Sequence, residues 1–157
     1  MIRVREALLA DAPLVATLLT NFNTEFDTPV PDLGVLTRRF EALLPLESVL
    51  VVLAETEEGP AGFAYLTLRP TPYWDGPLAQ LEELYVVPEL RGRGIGTAVM
   101  ERVLAICREK GCEEMLINVD EPDEGARRFY ERLGFSNYEI GEDYRMLCYI
   151  RQLGAEA

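Results

Sequence analysis

A strand that runs into a glycine-rich turn and then a long helix constrains this chain more than any other feature. Leu81-Glu82-Glu83-Leu84-Tyr85-Val86-Val87 is strand material. Pro88 ends it, because proline has no N–H to give a ladder. Arg91-Gly92-Arg93-Gly94-Ile95-Gly96-Thr97 follows, and the spacing predicts a helix from about Gly94 to Lys110. Met100, Val103, Leu104 and Cys107 recur there at helical intervals, and Gly111 stands where a C-terminal cap is expected. A helix N-terminus presents N–H groups without intrahelical partners and a partial positive charge, so it binds phosphates. Glycines let the backbone curl close around such a ligand. Two arginines flank the turn in a chain of formal net charge −12, a local basic spot for an anion. A Walker loop would end in Gly-Lys-Ser/Thr, and none is present. A dinucleotide fingerprint counted from Gly92 and Gly94 would need glycine where Thr97 stands. What remains is Arg-x-x-Gly-x-Gly, which as a bare pattern also describes a tight turn with no ligand.

The rest of the chain alternates strands and helices. Residues 2–5 form a short strand, and Asp11-Ala12-Pro13 starts a helix carrying Leu14, Val15, Leu18, Leu19 and Phe22. A second helix is expected over 32–44. Residues 49–56 and 61–69 are strands joined by Glu57-Glu58-Gly59-Pro60, hence a hairpin. A proline-rich loop over 70–77 carries Tyr73 and Trp74. Residues 115–120 form a strand, 123–133 a helix with Ala126, Phe129, Tyr130 and Leu133 on one face, and 136–140 and 144–151 two final strands. The fold class is α/β (α+β): a mixed, largely antiparallel sheet of about seven strands flanked by about four helices. With 157 residues and no long linker, a single domain over 1–157 is expected.

Several chemistries are excluded. The chain has no histidine, so neither a Ser-His-Asp triad, a Cys-His pair nor a His-based zinc site can form. Its three cysteines make no Cys-x-x-Cys, and neither a disulfide framework nor a metal site is expected. The acidic balance repels nucleic acid and anionic lipid and attracts cations, although it also serves plain solubility. No apolar run reaches membrane-spanning length and no signal-peptide stretch follows the N-terminus, so a cytoplasmic protein is expected.

Leu84-Tyr85-Val86-Val87-Pro88-Glu89-Leu90-Arg91-Gly92-Arg93-Gly94-Ile95-Gly96 resembles the acetyl-CoA motif of the GNAT superfamily of N-acetyltransferases. Ala126-Arg127-Arg128-Phe129-Tyr130-Glu131-Arg132-Leu133-Gly134-Phe135 is similar to the family's second signature. The resemblance implies acetyl-CoA as cosubstrate, held by the backbone of Leu84, Tyr85 and Val86 and by the turn Arg91, Gly92, Arg93, Gly94, Ile95, Gly96 and Thr97. It implies that the strands through Leu84 and Leu116 splay apart with pantetheine between them. It also implies that N–H groups of Leu84 or Val86 polarise the acetyl carbonyl. Tyr130 matches the catalytic tyrosine; a phenol of pKa about 10 can protonate a departing thiolate. Asp123 stands where the family often has asparagine, which puts a cofactor contact there in doubt.

A base is needed because an alkylammonium, of pKa about 10.4, must lose a proton before it attacks. Glu82 is the candidate: strict alternation puts it on the face of Leu84 and Val86, with Glu83 facing the side of Leu81 and Tyr85. Asn118 occupies a strand position where some relatives carry glutamate. Residues 81–86, the aromatic loop and the acidic surface are similar to the diamine and polyamine acetyltransferase branch, which implies a small-molecule, cationic amine acceptor. An amino sugar, an amino acid or a protein N-terminus stays open as acceptor, as does an acyl-CoA sensor without turnover. A homodimer is common in such folds.

Overall fold

The computed structural model describes residues 1–154. They fall into two compact units, Met1–Ile117 and a second that begins at Asn118.

The first unit is built on a five-stranded sheet in the order β1-β2-β3-β4-β5. The strands are β1 (Arg3–Glu6), β2 (Val49–Thr56), β3 (Gly59–Arg69), β4 (Leu78–Val86) and β5 (Met115–Ile117). The first four pair antiparallel and β5 lies parallel to β4, so the sheet is mixed and largely antiparallel. Its helices are α1 (Ala12–Glu25), α2 (Leu33–Leu43) and α3 (Ile95–Glu109). A parallel neighbour cannot follow a tight hairpin, and α3 is the crossover between β4 and β5.

β2 is buried on both sides, so it reads as an unbroken apolar run rather than an alternating one. Val51 and Leu53 join Phe63 and Tyr85 in a core with Val15, Ala16 and Leu18 of α1 and Leu36 and Phe40 of α2. Leu50, Val52 and Ala54 point the other way, and α3 packs across β1, β2, β3 and β4. Asp32 caps α2 by accepting the Gly34 N–H at 3.0 Å. Asp11 has a different task. Its carboxylate accepts Leu8 N–H and both terminal nitrogens of Arg5, and Arg5 also reaches Glu55. That network ties the start of α1 to β1 and β2. β3 and β4 approach closely at Gly62, where a Cβ would collide with the Tyr85 carbonyl and lie 3.2 Å from the Val86 Cα.

The second unit holds α4 (Glu124–Arg132). The two strands expected over 136–140 and 144–151 are not formed. One isolated antiparallel bridge, Tyr138 to Arg145, stands in their place, and Ile140, Leu147, Tyr149 and Ile150 are exposed. The count of about seven strands is therefore corrected to five among the described residues. Strand-like composition alone does not make a ladder; two short segments need a third strand or a packed face to hold. Among the described residues no helix is long and apolar enough to cross a membrane.

Candidate functional site

β4 and the turn after it carry most of the expected site residues. The Val87 N–H closes onto the Ala61 carbonyl at 2.8 Å, the last tie of this strand to β3. Pro88–Leu90 forms a single 3-10 turn, anchored by the buried side chain of Leu90. Gly92 and Gly94 then adopt φ of 77° and 80°, the left-handed region that L side chains resist. α3 begins at Ile95, whose side chain is buried, and its first ladder bond runs from the Ala98 N–H to the Gly94 carbonyl at 3.0 Å. The N–H groups of Ile95, Gly96 and Thr97 precede that bond and are the unsatisfied donors every helix start leaves. A Cβ built on Gly92 or Gly94 meets no atom within 4 Å, so the space over the turn is open. A curled, donor-rich, unobstructed helix start fits the pyrophosphate of a nucleotide cofactor.

The two arginines are engaged elsewhere. Arg91 grips both carboxylate oxygens of Glu25 at 2.6 and 2.7 Å, and its Nε donates to the Val86 carbonyl at 3.0 Å. Its guanidinium lies 5.9 Å from the Tyr85 ring centroid, and that ring stacks on Phe22 of α1 at 5.2 Å. Such a bidentate fork fixes geometry as well as charge. Arg91 thus fastens the end of β4 to the C-terminal turn of α1. Arg93 donates to Glu58 at 2.7 Å, with both side chains exposed. The basic spot expected here is offset by two carboxylates, and attraction for an anion rests on the backbone donors.

β4 itself departs from simple alternation. Tyr65 pairs with Glu83 and Leu66 with Leu81, so Glu82 is an extra residue without a partner on β3. This β-bulge puts Leu81 and Glu83 on opposite faces. Glu83 shares its face with Tyr85 as expected but not with Leu81, and the face expected for Glu82 is corrected. Glu82 is exposed, and its Oε1 accepts the Thr67 hydroxyl at 2.7 Å. Thr67 and Tyr65 share a strand face, and the register places Glu83 opposite Tyr65. Both glutamates therefore lie on the Tyr65–Thr67 side, where Tyr65 also meets Phe40 edge-on. Thr67 was missed by sequence reasoning: it lies 15 residues from Glu82, and only the bulged register brings the two together. Pairing with β5 stops at Leu81–Ile117, while β4 runs on to Val86 past Leu84 and Tyr85. Asn118 falls just outside β5, not within a strand.

Burial first, and the Glu82 carboxylate second, push the Glu83 carboxyl above the usual carboxylate range. A carboxyl raised on folding holds its proton more tightly in the folded state. Its contribution therefore favours folding at low pH and is lost as pH rises from the ordinary carboxylate range through the raised value. Glu83→Gln cannot ionise. It is expected to melt close to wild type at about pH 4 and above wild type at about pH 7.5. Thermal melts across that range check this; a difference that does not change with pH would overturn it.

In the second unit, Asp123 is the N-cap of α4, its Oδ1 accepting the Ala126 N–H at 3.0 Å. Tyr130 is buried at 8% exposure, with the rings of Phe129 and Phe135 edge-on at 5.2 and 5.7 Å.

A family model described as the acetyltransferase (GNAT) family matches residues 15–135, and the chain belongs to that family. A crystal structure of a candidate acetyltransferase from Arthrobacter sp. FB24 superposes with a TM-score of 0.89 at 44% identity, covering 96% of each chain. An aminoglycoside N(6')-acetyltransferase type 1 from Stenotrophomonas maltophilia is 29% identical over 147 residues, 91% of this chain and 92% of that protein. A mycothiol acetyltransferase from Thermobispora bispora is 38% identical over 71 residues, 45% of this chain. The matched part spans only 24% of that relative's length.

Proposed function

We propose that residues 1–157 form one acetyl-CoA-dependent N-acetyltransferase domain acting on a cationic amine, a di- or polyamine first. The observation that carries the reading is the open glycine turn at the start of α3, one strand-end away from the bulge that presents Glu82. The family model supports one domain, since it runs across the boundary between the two compact units. Acetyl-CoA supplies the acyl group as a thioester. Donors for its pyrophosphate are the N–H groups of the turn Arg91, Gly92, Arg93, Gly94, Ile95, Gly96 and Thr97, and the backbone of Leu84, Tyr85 and Val86 lies along the pantetheine. Asp123, tied up as a helix cap, contributes to this binding through α4 rather than by its own carboxylate.

Glu82 takes a proton from the ammonium, directly or through water, and passes it to solvent. The amine nitrogen forms the new C–N bond as the C–S bond breaks. Tyr130 gives its phenolic proton to the departing sulfur and regains one from the acetylated nitrogen through solvent. The products are an N-acetyl amine, free CoA and one proton. The amine attacks the thioester directly in this reading; Cys107, the buried one of the three cysteines, has its thiol pushed up to about 12 by burial, which disfavours a thiolate there.

The net charge of −12 raises the local concentration of cations and speeds their capture. It also opposes loss of the ammonium proton, so a base at the reacting nitrogen gains importance. A second reading, an amino-sugar acceptor, is favoured by the near full-length similarity to an aminoglycoside acetyltransferase. Free-thiol release with acetyl-CoA and spermidine, glucosamine or a small amino acid separates the two. Glu82→Gln is expected to lower the rate about tenfold at neutral pH and to recover at high pH, where free amine is abundant. A Glu82→Gln profile that tracks wild type at every pH would remove Glu82 from the chemistry. No thiol release with any amine would leave an acyl-CoA sensor. We also propose a cytoplasmic location and a homodimer; the exposed apolar side chains of Ile140, Leu147, Tyr149 and Ile150 support the dimer alone, and sedimentation as a monomer would overturn it.

A further inference from the structure

The bulge in β4 creates a problem that Thr67 solves. Glu82 and Glu83 are consecutive, yet both lie on the Tyr65–Thr67 side of the sheet. Two carboxylates so placed repel, and Glu82, outside the pairing register, has no cross-strand neighbour of its own to hold its side chain. Glutamate has several rotatable bonds and an exposed one samples many rotamers. The Thr67 hydroxyl donates to Glu82 Oε1 at 2.7 Å, across the strand boundary and one step beyond the bulge. This bond, a hydroxyl donating to a carboxylate, is charge-assisted, and 2.7 Å lies at the upper end of the range for that kind. It draws the Glu82 carboxylate toward Thr67 and leaves Oε2 for a second donor.

Thr67 is itself well fixed. It pairs with Val49 of β2 on one side and Gln80 of β4 on the other, so its backbone is interior to the sheet. As a β-branched residue it has few rotamers in a strand. A rigid donor on a central strand is thus aimed at a flexible acceptor on a bulge.

We propose that Thr67 is a positioning residue that holds Glu82 in the one orientation from which it can take a proton from the acceptor amine. The proposal rests on the reading of Glu82 as base, and the test separates the two. Thr67→Val keeps shape and strand propensity and removes the hydroxyl; Thr67→Ser keeps the hydroxyl. Thr67→Val is expected to lower kcat about tenfold with the KM for acetyl-CoA unchanged, since a misplaced group costs rate rather than cofactor binding. Thr67→Ser is expected to restore most of the loss. In the Glu82→Gln background, Thr67→Val is expected to cost nothing further, because residues that act as a unit are not additive. Thermal melts of all variants identify any that fail to fold, and the comparison between valine and serine is made only on folded protein.

If Thr67→Val multiplies its loss onto Glu82→Gln, Thr67 acts independently of Glu82 and the proposal falls while the base assignment stands. If serine is as poor as valine, the hydroxyl is not the cause and the proposal falls in the same way. If Glu82→Gln alone matches wild type at every pH, the base assignment falls and the positioning role goes with it.

Discussion

Gly94→Val is expected to lower affinity for CoA about 100-fold while the chain still folds; that loss is about 2.7 kcal/mol. Gly94 sits at φ 80° and ψ 9°, immediately before the first residue of α3. A β-branched side chain there is a steric outlier, and holding it costs on the order of 1–3 kcal/mol. The chain can relieve the strain by turning the peptide over, which redirects the N–H groups that α3 offers to an anion. Even if the backbone stays put, the new methyl groups enter space that is open in this structure, since a Cβ at Gly94 meets nothing within 4 Å. The same openness is why the fold should survive: no protein atom is displaced. Gly94→Asn separates the two effects. Asparagine visits the left-handed region readily, so it keeps the turn and adds only bulk. Its expected loss is smaller, about tenfold. Calorimetric titration with CoA and a thermal melt of each variant give the answer. Wild-type affinity in folded Gly94→Val would show that the turn is a connection and not a cradle.

Much of the fold was legible because it follows from local chemistry. Val15 and Leu18 of α1, and Met100, Val103 and Cys107 of α3, are buried at helical spacing. The helix starts expected at Asp32 and Asp123 are capped by those side chains, whereas Asp11, the residue expected as a cap, makes no side-chain cap bond to α1. Pro88 ends β4 and the hairpin of β2 and β3 forms as expected. The rest depends on partners far away in sequence. Arg91 and Glu25 are 66 residues apart, and nothing near either one signals that the arginine is committed to a carboxylate. The bulge at Glu82 has the same origin. A strand pattern counts residues in twos, and one inserted residue reverses the count without changing composition. A glutamate pair in a strand otherwise made of Leu, Tyr and Val was visible; which of the two would be half-buried was not. The failure of 136–140 and 144–151 to form strands is of a third kind: the apolar and aromatic residues that suit a strand are present, but among the described residues only the Tyr138–Arg145 bridge forms.

Tyr130→Phe is expected to lower kcat about 100-fold, within the usual range for one acid–base group, with CoA affinity unchanged. The substitution is informative because the backbone and ring contacts that fix this position do not depend on the hydroxyl's role as a proton donor. Tyr130 lies in the last turn of α4, and its carbonyl accepts both the Leu133 and the Phe135 N–H at 3.0 Å, which pins the backbone at the helix stop. Phe129 and Phe135 meet its ring edge-on, an arrangement in which a phenylalanine ring gains the same contacts. Packing is therefore preserved and one proton donor is deleted. A departing CoA thiolate is a better leaving group once protonated, so the missing donor acts in the transition state and not on cofactor binding. The signature is a fall in kcat and in kcat/KM together. It should be largest at high pH, where solvent protons are scarce and a phenol would still carry its own. Thiol release followed against pH, with titration of CoA into the same preparation, distinguishes this from misfolding. Turnover at the wild-type rate would mean that water protonates the sulfur and that Tyr130 is a packing residue of α4.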